Sequence, residues 1–103
     1  MDDVLEIRIV GEYRTRDKSM RIVQQKAKTL KNNNMVSESK KFQVHYETLL
    51  SELEIFYKKY RDTMVKFGIV PKIPLKIELS SDELDAIKAV QKKHVLNSKF
   101  ILE

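Results

Sequence analysis

The chain has no cysteine, and only two glycines and two prolines among 103 residues. Without cysteine there are no disulfides and no thiolate metal ligands, which is consistent with a reducing compartment. With so few glycines and prolines to punctuate the chain, its ordered elements are expected to be long. Gly11 and Gly68 are too far apart to build a glycine-rich phosphate cradle, and each is read as a terminator. His45 and His94 fall on different segments without further ligands at suitable spacing, so no zinc site is expected. The acidic groups Glu52/Glu54 and Asp82/Glu83/Asp85 are accounted for by helix polarity and capping. These shortages lead to the expectation of a protein that is not an enzyme and needs no cofactor or metal. Every apolar stretch is interrupted well short of the ~20 residues a membrane span requires. The opening Met1-Asp2-Asp3-Val4 is acidic and does not read as a signal peptide, so the expected location is cytoplasmic.

What is present suits one folded domain over 1–103. A hydrophobic share of 42% beside a charged share of 34% fits a solvated, helix-rich protein rather than a disordered one. The formal charge is +5, but it is unevenly spread. Between Tyr13 and Lys41 there are nine cations (Arg14, Arg16, Lys18, Arg21, Lys26, Lys28, Lys31, Lys40, Lys41) and two anions, Asp17 and Glu38. That segment alone carries +7, so the rest of the chain is net acidic.

Leu5, Ile7 and Ile9 alternate with Glu6 and Arg8, a period of two that predicts a short strand ending at Gly11. From about Asp17 to Lys31 the period becomes helical, with Met20, Val23, Ala27 and Leu30 on one stripe. Arg14, Lys18, Arg21, Gln25 and Lys28 lie on the opposite side. Asn32-Asn33-Asn34 then breaks the helix, because asparagine tolerates left-handed backbone and competes for backbone hydrogen bonds. Ser37 or Ser39 is expected to cap the next helix.

That next helix is the strongest pattern in the chain. Phe42, Tyr46, Leu49, Leu53, Phe56, Tyr60, Met64 and Phe67 recur in steps of four and three, and Leu50 and Tyr57 widen the stripe. Glu54–Lys58 and Asp62–Lys66 are expected to pair across one turn. Gly68 suits the left-handed position after a helix, with Ile69 closing back on Met64 and Pro71 forbidding continuation. A helix from about Ser39 to Phe67 would be ~40 Å long. A compact domain of this size has a radius of gyration of ~13 Å, so either the fold is elongated or another chain covers part of the stripe. The first helix offers about four apolar residues to a stripe of about ten, which favours self-association or a protein partner.

After Pro71, Ile73, Leu75, Ile77 and Leu79 alternate with polar residues and predict a second strand, placed at an edge by Pro74. Ser80 and Glu83 form a capping box for a helix running to about His94. Asp82, Glu83 and Asp85 in its first turn and Lys92 and Lys93 in its last suit the macrodipole. Ser98 to Leu102 reads as a third short strand. The stretch from Ile73 to Ile87, continuing to Asn97-Ser98, resembles the opening of a ribbon-helix-helix DNA-binding unit. The resemblance implies that the outward strand residues, here Lys72, Lys76 and Glu78, would read the major groove. It covers under a third of the chain and does not include a second full helix.

The expected fold is therefore α+β and mostly helical: a short strand, a helical hairpin with one long amphipathic helix, an edge strand and a capped C-terminal helix. The expected function is protein–protein interaction or assembly through the long helix. The alternative is a nucleic-acid-binding accessory protein that uses a basic face. The residues proposed for that face are Arg14, Lys18, Arg21, Lys28, Lys31, Lys40 and Lys41. They are either a solvated surface or a site for nucleic acid or an acidic protein.

Overall fold

The computed structural model describes the backbone of residues 3–72 and 74–102, and the side chains of 4–72 and 74–93. Four helices follow one another: α1 (Asp3–Asn32), α2 (Val36–Lys59), α3 (Arg61–Lys66) and α4 (Ser81–Leu102). No strand forms among the described residues, so the fold is mostly helical and the α+β expectation is corrected.

The first predicted strand is the opening of α1. Leu5 and Ile7, which suggested alternation, are 49% and 60% exposed, while Glu6, Ile9, Val10 and Tyr13 are buried. The inward face runs Glu6, Val10, Tyr13, Asp17, Met20, Gln24 and Ala27, in steps of four and three. Three of those seven are polar, which hid the helical period. Gly11 does not end the helix. It faces solvent inside it, and the Thr15 hydroxyl donates to its carbonyl at 3.0 Å.

The asparagine run does turn the chain. Asn34 takes φ 61°, the Asn34 N–H donates to the Lys31 carbonyl (3.1 Å) and the Met35 N–H to the Leu30 carbonyl (2.9 Å). This is a Schellman closure with asparagine in the left-handed position. Neither serine caps α2: Met35 occupies the N-cap without a side-chain bond. Ser39 is buried and donates instead across the hairpin to the Ala27 carbonyl at 2.8 Å. A hydroxyl at that close contact satisfies its own donor where an N-cap role would have left it facing solvent.

The long helix forms with one irregularity, at Tyr60 (φ −111°, ψ 30°), between α2 and α3. The bonds Tyr60 N–H to Phe56 O and Met64 N–H to Tyr60 O span the break. Gly68 (φ 71°) ends α3 with a second Schellman closure, Ile69 N–H to Met64 O at 2.9 Å, as expected. Residues 69–72 and 74–80 are neither helix nor strand. The N-terminal segment that could have been the neighbouring strand is in α1, and Pro74 removes a donor. The chain instead makes a tight turn, Leu75 N–H to Lys72 O at 2.9 Å, and lies against α2. Ile73 lies outside the described residues.

The capping box of α4 forms as expected: Glu83 N–H donates to Ser80 Oγ (3.2 Å) and Ser80 N–H to the Glu83 carboxylate (2.9 Å). The helix does not stop near His94, nor turn at Asn97-Ser98. It continues to Leu102, which replaces the third strand and ends the ribbon-helix-helix resemblance. Glu83 lies beside Arg61 and Gln91 beside Gly68, so α4 runs alongside α3 in the same direction.

One apolar cluster holds these parts together: Ile9, Tyr13 and Met20 from α1, Tyr46, Leu53 and Tyr57 from α2, Met64 from α3 and Leu75 from between α3 and α4. The radius of gyration is 16.7 Å and the longest extent 47 Å. Thirty residues of α helix span ~45 Å, so α1 alone accounts for that length. The fold is thus elongated, as one of the two alternatives raised by the sequence has it.

Candidate interaction surface

Two helices packed side by side leave a groove on each side of their contact, and the chain treats the two differently. One groove is sealed by residues between α3 and α4. The Tyr57 hydroxyl donates to the Ile69 carbonyl at 2.7 Å, and the Lys76 N–H to the Glu54 carboxylate at 3.1 Å. Glu54 is thus committed to Lys76 rather than to Lys58. Leu75 is buried and Ile77 and Leu79 are half-buried against the core. Arg61 clamps the end of the seal, with Nε and Nη2 on the two Glu83 oxygens at 2.6 and 2.7 Å and a further bond to the Glu78 carbonyl. Lys66 reaches the buried Glu6 carboxylate at 3.0 Å, tying α3 to the start of α1.

The other groove is open. Leu49, Phe56 and Tyr60 are only half-buried there, and Ile55 at its edge is 66% exposed. Two hollows mark it. One, of about 350 Å³, is lined by Glu12, Arg16, Glu52, Ile55, Phe56, Lys59 and Tyr60. The other, of about 180 Å³, lies between Thr15, Arg16 and Ser19 on α1 and Leu49, Glu52 and Leu53 on α2. The floor is aromatic: Phe56 stands 4.9 Å from the Tyr60 ring and 6.5 Å from Tyr13. Arg16, held by Glu12 at 2.8 Å, lies 5.0 Å above the Phe56 ring and forms a polar lid on it.

The seven cations singled out from the sequence do not form one patch. Arg14 borders a hollow on the sealed side, beside Val70 and Lys72. Lys18 is exposed on α1. Arg21 is half-buried at the core margin, where its Nε bonds Asp17 at 3.2 Å. Lys28, Lys31, Lys40 and Lys41 flank the asparagine turn, all exposed and without ion partners among the described residues. With Lys26, which sits 4.8 Å over the Phe42 ring, they make the turn end cationic around the exposed Met35 and Val36.

Burial pushes the Tyr13 and Tyr57 phenols up to about 12, helped at Tyr13 by the Asp17 carboxylate and at Tyr57 by Tyr13. Tyr46 is raised by burial too, with Arg21 opposing. The hydrogen bonds from Arg61, then from the Ser80 N–H, hold the Glu83 carboxyl down at about 2. The same pair raises Arg61. Each of these shifts marks a structural contact within the core or the seal.

His45 is exposed, and the His94 side chain lies outside the described residues. Among the described residues no three His, Asp or Glu side chains converge as metal ligands, and no helix is long and apolar enough to cross a membrane. No family model matches the chain, and no curated protein or solved structure matches it. The open groove was not singled out from the sequence. Its signal was present in Glu52, Ile55, Phe56 and Lys59, whose spacing places them on one helix face beside the main stripe.

Proposed function

We propose that this protein is a non-enzymatic protein-interaction module whose contact surface is the open side of the α1–α2 groove. The observation that carries the reading is the contrast between the grooves: Ile55 is 66% exposed beside half-buried Phe56 and Tyr60, while the opposite groove is sealed by the chain's own Ile69, Leu75 and Lys76. Exposed apolar surface with a polar rim is the usual composition of a protein contact. The test replaces Ile55 by a photoreactive phenylalanine analogue in cells that make the protein, with the same probe at Lys40 as comparison. A discrete protein adduct at 55 and none at 40 is the expected result. Irradiation that yields no protein adduct at 55 contradicts the reading.

A second reading draws on the exposed Lys28, Lys31, Lys40 and Lys41 around the turn. Lysines placed this way suit a phosphate backbone or an acidic protein, with affinity falling as salt rises. The probe at Lys40 then reports it, as an adduct to nucleic acid or to an acidic protein. Binding at the turn leaves the open groove free.

A further inference from the structure

The open face of α2 carries four residues in the order Glu52, Ile55, Phe56, Lys59. Steps of three, one and three put all four on one side of the helix. Glu52 and Lys59 are both exposed, and neither has an ion partner among the described residues. They cannot satisfy each other, because seven residues of helix separate them by ~10 Å. Lys59 stands over the Tyr60 ring at 5.3 Å, on the rim of the same hollow that Glu52 borders.

This order is self-complementary. A two-fold axis perpendicular to α2, passing between Ile55 and Phe56, carries Glu52 onto the position facing Lys59 of a second copy, and Lys59 onto the position facing Glu52. The same operation brings each Ile55 to the hollow beside the other copy's Phe56, at the edge of the Arg16 guanidinium that lies over the ring. Two carboxylate–ammonium pairs then flank an apolar centre, and two hollows of about 350 Å³ receive the two isoleucines. A contact of this symmetry closes on itself and yields a dimer rather than a filament.

We infer that the occupant of the open groove is a second copy of this chain, docked antiparallel along α2 about an axis near residues 55 and 56. This deepens the reading of the groove as a protein-contact surface and rests on it. Two observations favour a second copy over an unrelated partner: the charge order matches its own reverse, and the most exposed large apolar side chain among the described residues lies next to the axis.

Charge exchange tests the pairing. Sedimentation equilibrium on the full chain is expected to show reversible dimers for the wild type. Glu52→Lys alone, or Lys59→Glu alone, sets like charges opposite one another twice and should weaken dimerisation by roughly tenfold or more. An equimolar mixture of those two variants places lysine against glutamate at both positions, so heterodimers should form where neither variant alone associates. The double variant Glu52→Lys/Lys59→Glu should recover association to within a few-fold of the wild type. Heterodimer formation also shows that both single variants are folded. A wild type that stays monomeric to millimolar concentration overturns the inference, as do single variants that dimerise as well as the wild type. If the wild type is monomeric while a probe at Ile55 still captures a different protein, the groove remains a contact surface and only the second copy is ruled out.

Discussion

The sealed and open sides of the hairpin are lined by the same two helices yet are built on different terms. On the sealed side polar groups of α2 and α3 meet partners in the later chain: Tyr57 with Ile69, Glu54 with Lys76, Arg61 with Glu83. On the open side Glu52 and Lys59 face solvent, and Arg16 covers Phe56 from above. Leu49, Phe56 and Tyr60 are left half-buried there. The difference predicts how substitutions divide. Those on the sealed side and in the core act on stability, and those on the open side act on association.

Leu53 on α2 is 1% exposed, and Leu53→Ala should cost ~2–5 kcal/mol in chemical denaturation. Ile55→Ser, two residues away on the open side, should stay within about 0.5 kcal/mol. Comparable losses at both positions would erase the distinction between the sides.

The two glycines give a second pair. Gly68 has φ 71°, and a Cβ there would come within 2.9 Å of the Val90 side chain. Gly68→Ala therefore meets a left-handed backbone cost of ~1–2 kcal/mol and a clash with α4. A Cβ at Gly11 would meet nothing within 4 Å, and that site lies inside α1. Gly11→Ala should stabilise the protein by up to ~1 kcal/mol, the helix-propensity difference. A destabilising Gly11→Ala would return the N-terminal segment to the strand suggested by Leu5, Ile7 and Ile9.

The pH limits of stability should divide in the same way. Glu83 ionises at about 2 in the folded chain against 4.5 for the free side chain, so its contribution is complete above pH 4.5 and lost as pH falls toward 2. Glu83→Gln should flatten that acid limb. Tyr13 and Tyr57 ionise at about 12 when folded and 10 when free, so their contribution holds below pH 10 and is lost as pH rises toward 12. Tyr57→Phe should flatten the alkaline limb and cost ~1 kcal/mol at neutral pH through the bond to Ile69. Thermal melts across pH 2–12 read both limbs.

Much of this fold was legible where one residue type has one physical role. Gly68 and Asn34 take the left-handed closures that their side chains permit, and Ser80 with Glu83 forms its box. The leucine and aromatic steps from Phe42 to Phe67 mark the long helix. What was hidden depended on residues far apart in sequence. The N-terminal helix was masked because Glu6, Asp17 and Gln24 occupy inward positions, and Glu6 finds its partner sixty residues later at Lys66. The same masking made α1 look too poor in apolar surface, since Ile9, Val10 and Tyr13 were not counted on its packing face. Leu75, Ile77 and Leu79 alternate as a strand would, and they do turn inward, but onto a helix pair. The basic residues read as one stripe by helical angle, while the fold distributes them among the sealed side, the core margin and the turn.

Because the chain lacks cysteine, single cysteines make unambiguous labelling sites. The direct test of the open side as the contact surface compares nitroxide labels at Ile55→Cys, on that side, and Ile22→Cys, which is 59% exposed on α1. The mobility of each label is read by electron paramagnetic resonance as unlabelled wild-type protein is added. The account predicts that the label at 55 becomes immobilised with rising concentration while the label at 22 does not. A label at 55 that stays as mobile as the one at 22, with unlabelled protein and in extracts of the producing cells alike, would contradict it.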